Sequence, residues 1–237
     1  MYTFIKNIEE TFEFFITLIS AFLIKGSSKE KILLIWIPKN LGTSIYEGLK
    51  NKGAIKYKRL FFIKYFLIYS NFITFGHFDI NLLKKRGVID VTNYKKFAVL
   101  RDPVSRFKSI YSYYKKRGIF KKNIDLSIND ILDLLEQKKI PEIGLYHHKF
   151  LSMFNSQTCW LKGEQNIDYF LIENTKGIER YIKNNLNIEF KLPFLNQSQS
   201  SSILLTEVQI DRLKSIYKSD YLIIKKVMEA EAGIEPA

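Results

Sequence analysis

Lys39, His77 and Arg101 stand at the ends of three short apolar runs, Ile32 to Ile37, Phe72 to Phe75 and Phe97 to Leu100. Short apolar runs bounded by turn residues read as buried strands. Two cations and an imidazole brought to strand ends suit one kind of chemistry. The cations hold an anion, and the imidazole accepts a proton near neutral pH. In an open parallel sheet, ligands bind at the carboxyl edge of the strands, where these three residues would sit.

The elements that must position them are legible on both sides of each turn. After Arg101, Asp102 suits an N-cap and Pro103 the first helical position. Phe107, Ile110, Tyr111 and Tyr114 then recur at helical spacing, with Ser109 two turns in. A guanidinium beside helix N–H groups is an anion site, because dipole, amides and planar donors converge. The plainer alternative is a strand-to-helix corner with Arg101 paired to a surface carboxylate. Residues 32 to 48 repeat the layout. The run to Ile37 is followed by Pro38-Lys39-Asn40-Leu41-Gly42, and Thr43 or Ser44 can cap a helix that stops near Gly53. This is not a Walker A loop, since no glycine lies five residues before Gly42 and no lysine follows it.

Taken together, these stretches resemble the PAPS-dependent sulfotransferases (PAPS is 3′-phosphoadenosine-5′-phosphosulfate). Ile37-Pro38-Lys39-Asn40-Leu41-Gly42-Thr43-Ser44 resembles their 5′-phosphosulfate loop. Leu100-Arg101-Asp102-Pro103, with Ser109 eight residues after Arg101, is similar to their 3′-phosphate motif. Phe75-Gly76-His77-Phe78 resembles the Gly-His segment of the carbohydrate branch, the heparan sulfate 2-O-like enzymes. Gln157 to Leu161, Phe194 to Ser198 and Leu213 to Tyr221 are similar to weaker landmarks in the same order, so the resemblance covers residues 31 to 227. The family pattern has Thr and Gly where this chain has Asn40 and Leu41.

The resemblance implies an α/β fold, a P-loop-like three-layer sandwich with a mostly parallel sheet and helices on both faces. The alternation of strand, anion loop and helix points to the same class. It also implies PAPS as donor, bound by Lys39, Asn40, Leu41, Gly42, Thr43, Ser44, Arg101 and Ser109, and a hydroxyl acceptor, a carbohydrate above all. Lys39 answers charge developing on the leaving oxygen, and His77 takes the acceptor's proton. For His77 alone, a half-buried imidazole satisfied by backbone is the competing reading. No metal is expected, since three histidines and one cysteine offer no spaced ligand set. Two rivals stand beside this reading. A small-molecule kinase on a similar sheet needs a fuller Gly-Lys-Ser/Thr loop and a Mg²⁺ carboxylate. A non-enzymatic basic protein would bind acidic polysaccharide or nucleic acid, although no nucleic-acid module is recognisable.

Composition bounds the rest. A chain of 237 residues suits one domain with a small appendage, and the net charge of +13 asks for an anionic partner. A single cysteine, Cys159, excludes an internal disulfide, so the fold needs no oxidising compartment; this does not locate the protein, for which a cytoplasmic or membrane-associated place is favoured and a Golgi-type one stays open. Residues 1 to 30 read as an N-terminal helical extension, 31 to 228 as the main domain and 229 to 237 as a disordered tail. Phe14 to Ile24 is too short an apolar run to span a membrane. It reads as a docked helix or as a membrane-surface contact. Residues 54 to 71 interleave Lys and Arg with aromatics, as an amphipathic element does. Asp79 and Glu47 are the reserve candidates for a general base. His147 and His148 read as structural or surface residues.

Overall fold

The computed structural model describes residues 31–52, 54–56, 71–78, 80–85, 91–122, 126–141, 151–193 and 203–233. The N-terminal extension with Phe14 to Ile24, most of the basic aromatic stretch, Asp79, His147, His148, Phe194 to Ser198 and residues 234–237 lie outside them.

Five parallel strands form one sheet: β1 (Ile32–Ile35), β2 (Ala54–Lys56), β3 (Phe72–Thr74), β4 (Lys95–Leu100) and β5 (Ile167–Leu171). Their order is β2-β3-β1-β4-β5. β1 lies centrally, with Leu34 opposite Thr74 of β3 and Phe97 of β4. The chain class is therefore α/β, and every pairing in the sheet is parallel.

A parallel strand is covered on both faces, so its apolar residues divide by parity. Ile32 and Leu34 of β1 pack with α1 (Gly42–Leu49) and α7 (Thr175–Leu186), through Ile45, Leu49, Ile178 and Ile182. Leu33 and Ile35 face the other way, onto α2 (Ile80–Lys85), α6 (Thr158–Leu161) and α9 (Lys218–Glu231), through Ile80, Trp160 and Val227. A third apolar cluster joins α3 (Pro103–Lys116), α4 (Ile119–Lys122), α5 (Ile128–Glu136) and α8 (Glu207–Ile216), with Phe107, Ile110, Ile131, Leu132 and Leu213 at its centre.

Several boundaries differ from the sequence reading. β1 ends at Ile35, and Trp36 and Ile37 continue as a buried link into the loop. β2 was hidden in the basic aromatic stretch, because three residues show no periodicity. β5 starts at Ile167, three residues before the short apolar run Phe170 to Ile172. Asn174 caps α7, its Oδ1 accepting from the Gly177 N–H at 2.9 Å. The last helix breaks at Tyr217, whose buried ring anchors it and whose hydroxyl donates to the Phe154 carbonyl at 2.5 Å. Beyond that break α9 runs on through Glu229–Glu231, where the sequence reading starts its tail, and Glu231 accepts from Asn174 Nδ2 at 2.7 Å. Among the described residues no helix is long and apolar enough to cross a membrane.

Candidate anion-binding and catalytic site

The strand order places the two candidate anion loops side by side. β1 leads through Pro38 to Leu41 into α1, and its neighbour β4 leads through Arg101 and Asp102 into α3. From β1 the chain builds β2 and β3 on one side and β4 on the other. The crevice between β1 and β4 is thus a topological switch point, the usual place for a ligand in such a sheet.

The first loop is shaped by two left-handed residues, Lys39 (φ 68°) and Leu41 (φ 60°). Each costs on the order of 1–2 kcal/mol in a residue with a Cβ, and such strain gathers at functional sites. Glycine takes this conformation without penalty. Leu41 precedes helical Gly42, and successive amides of that alternating hand form a concavity suited to anions. Leu41 is the N-cap, and no side chain caps the helix. Thr43 and Ser44 therefore sit in the first turn and do not cap it, because the helix begins at Gly42, two residues before the start that a Thr43 cap would set. First-turn N–H groups of an uncapped helix are natural anion donors. Gly42 is required sterically: a Cβ there would stand 2.1 Å from Trp36 Nε1.

Asn40 is only 2% exposed, and its side chain turns inward. Its Nδ2 donates to the Val99 carbonyl at 2.7 Å and to Gln157 Oε1 at 2.6 Å. Both amide protons are thus committed to the scaffold, which leaves the main chain of Asn40 to face an anion. The Lys39 ammonium lies 5.0 Å from the centroid of the Tyr113 ring, a cation–π contact from α3.

At the second loop Asp102 caps α3 as the sequence suggests, accepting from the Ser105 N–H at 2.7 Å, with Pro103 at the first position. Arg101 Nη1 donates to the Lys39 carbonyl at 3.3 Å, so the two loops touch. Arg106, one turn into α3, is almost wholly buried and ties the same loop from below. Its Nε donates to the Pro38 carbonyl at 3.2 Å, Nη2 to Met153 at 2.8 Å and Nη1 to Asn155 at 2.9 Å. Burial pulls its pKa down, and Tyr217 and Asp220 act in the opposite sense. Ser109 follows Arg106 by three residues and precedes Tyr113 by four, hence shares their face of α3. Arg106 and Tyr113 on that face reach the Pro38–Lys39 segment, and Ser109 is buried.

His77 stands half-buried at the end of β3. Gly76 (φ 60°) makes the turn before it. His77 Nδ1 lies 2.9 Å from the Trp36 carbonyl, which can only accept. In the neutral ring the proton therefore sits on Nδ1 and the lone pair on Nε2, the arrangement a general base needs. The ring meets the Trp36 indole edge-on, 5.3 Å between centroids. Lys56, at the end of β2, lies 4.0 Å from the centroid of that same indole. Trp36 and Lys56 were not singled out as site residues from sequence. The signal was available for Lys56, the last residue of an Ala-Ile-Lys run shaped like the other strand ends, but the run is short.

The site is cationic. Burial lowers the pKa of Lys39, and Arg101 and Arg117 add to the effect, so the ammonium is held among other positive charges. Burial also lowers the pKa of Arg101, with Glu173 and Asp102 favouring its charge. An anion between Lys39 and Arg101 would relieve both. Among the described residues no group of three or more His, Cys, Asp or Glu side chains gathers as a metal site would require. Glu47 lies on α1, its carboxylate paired with Lys50 at 2.5 Å. No protein-family model and no curated protein matches this chain.

Proposed function

We propose that the chain is a PAPS-dependent sulfotransferase with a P-loop-like fold, moving the sulfuryl group of PAPS to a hydroxyl of a carbohydrate acceptor. The observation that carries this reading is the contact between two anion loops on adjacent strands, Lys39 in one and Arg101 in the other, without a Walker A glycine-lysine pair. A donor with a phosphosulfate at one end and a 3′-phosphate at the other matches two loops better than one triphosphate does.

In this reading the loop amides and Lys39 hold the phosphosulfate, and Arg101 with Ser109 holds the 3′-phosphate. Asn40, Leu41, Gly42, Thr43 and Ser44 contribute through main-chain N–H groups and the hydroxyls of the first turn. The acceptor oxygen attacks sulfur as the bond from sulfur to the bridging oxygen breaks, and adenosine 3′,5′-bisphosphate leaves. The acceptor's proton passes to Nε2 of His77, whose Nδ1–H remains on the Trp36 carbonyl. Charge growing on the bridging oxygen is met by the Lys39 ammonium, which strengthens as the oxygen becomes anionic. No metal is assigned a part.

Thermal melting tests donor binding. Adenosine 3′,5′-bisphosphate raises the melting temperature by mass action on the folded state, and adenosine 5′-monophosphate does so much less. Equal shifts from the two would remove the 3′-phosphate assignment. A larger shift from ATP with Mg²⁺ would favour the kinase.

A further inference from the structure

Gln157 is completely buried and touches both anion loops. Its Oε1 accepts from Asn40 Nδ2 in the first loop and from the Arg101 main-chain N–H in the second, at 2.6 and 3.0 Å. Its Nε2 donates to the Arg101 carbonyl at 2.8 Å and to Asp220 Oδ2 at 3.3 Å. The amide thus uses two acceptor and two donor positions, its full complement. Asp220, buried at the start of α9, also accepts from the N–H groups of Gln157 at 2.8 Å and Thr158 at 3.1 Å, and from the Ser156 hydroxyl. Only an amide serves here. A carboxylate would lack the donors and would stand against Asp220, and an apolar side chain would leave the buried groups unpaired.

We propose that Gln157 is a positioning residue that fixes the separation of the two anion loops, so that a ligand with phosphate groups at both ends is held at both at once. The inference rests on the donor reading above. Gln157 touches no ligand; it acts through Asn40 and Arg101. Two half-sites at fixed spacing give a two-ended ligand a large advantage in effective concentration. If the spacing drifts, that advantage falls while each half-site still binds its own group. A merely structural role would weaken all ligands alike.

The test is calorimetric titration of adenosine 3′,5′-bisphosphate, adenosine 5′-monophosphate and adenosine 3′-monophosphate into wild type, Gln157→Met and Asn40→Ala. Wild type binds the bisphosphate at least about tenfold more tightly than either monophosphate. In folded Gln157→Met both monophosphates stay within about threefold of wild type, and the bisphosphate loses about tenfold or more. Asn40→Ala removes the first loop's bonds to Gln157 and to the Val99 carbonyl while leaving the Gln157 bonds to Arg101 in place, shows the same selective loss, and decides the matter should Gln157→Met fail to fold. A folded variant that keeps the bisphosphate advantage, or weakens all three ligands in proportion, overturns the proposal. No advantage in wild type instead overturns the donor reading and takes this inference with it.

Discussion

Replacing Gly42 by alanine puts one methyl group into the most crowded point of the candidate site. The added Cβ would lie 2.1 Å from Trp36 Nε1, 2.2 Å from Cδ1 and 2.4 Å from Cε2. Comfortable contacts between such atoms are about 3.5–4.0 Å, so the indole must move by more than an ångström. It has little room, because Trp36 is 4% exposed and packs beside Tyr46 at 6.1 Å. Overpacking of this kind costs roughly 1–3 kcal/mol. Alanine in a helical position returns roughly 0.5–1 kcal/mol relative to glycine. The net is about 1 kcal/mol of destabilisation, which for a domain of this size lowers the melting temperature by about 2–4 °C. Activity suffers more than stability. The displaced indole carries the edge contact to His77 and the Lys56 ammonium over its face, and the main-chain carbonyl of the same residue holds His77 Nδ1. An ångström of misplacement at reacting groups costs about 10²-fold in turnover. Thermal melts and steady-state sulfotransfer on Gly42→Ala measure both effects, and Trp36→Phe in that background, by shrinking the ring, restores part of each. If Gly42→Ala melts no lower than wild type and turns over normally, the reasoning about Trp36 is refuted.

Lys39→Ala and Arg101→Ala both damage activity but differently. Losing Arg101 weakens bisphosphate binding by roughly 2 kcal/mol, the worth of a charge-assisted hydrogen bond, whereas losing Lys39 lowers turnover beyond its effect on binding. The lowered pKa of Lys39 sets a pH signature as well. The unfolded chain holds that proton to higher pH than the folded one, so the contribution of Lys39 to stability rises through the alkaline window just below the ordinary lysine value. A bound anion favours the charged form, so bisphosphate affinity falls through the same window, and titration of Lys39→Ala lacks that limb. His77→Ala leaves bisphosphate binding nearly intact while turnover drops by about 10² to 10⁴; near-normal turnover in the variant would remove His77 from the mechanism. Arg106→Met leaves the Pro38, Met153 and Asn155 carbonyls without their donors and costs about 3 kcal/mol or more in a denaturant melt, and Arg106→Lys recovers little, since a single ammonium cannot reproduce the planar fork.

What the sequence made legible was the part governed by short-range rules. Asp102-Pro103 announced a helix start that the structure holds in place with a side-chain cap. The apolar runs announced buried strands, and their carboxyl ends carry Lys39, His77 and Arg101 into adjacent turns. What stayed hidden depends on long-range contact. Gln157 is 56 residues from Arg101 and 117 from Asn40, and no local pattern says that one amide bonds both. Arg106 reads as one more cation on a helix until its three carbonyl partners are known. Trp36 was absorbed into an apolar strand, because its role comes from Gly42 six residues on and from His77 across β3. Leu41 gives no sequence signal for a left-handed turn, and only the backbone shows that it adopts one.

The central claim is sulfuryl transfer from PAPS, and radiolabelled PAPS tests it most directly. Purified full-length chain is incubated with label in the sulfate and a pooled panel of glycans, with and without EDTA, beside Lys39→Ala. The account predicts that label moves to glycan in step with release of adenosine 3′,5′-bisphosphate, that chelation leaves the rate unchanged, and that Lys39→Ala nearly abolishes it. PAPS left intact, while the same preparation transfers phosphate from ATP in a reaction that EDTA stops and Mg²⁺ restores, would contradict it.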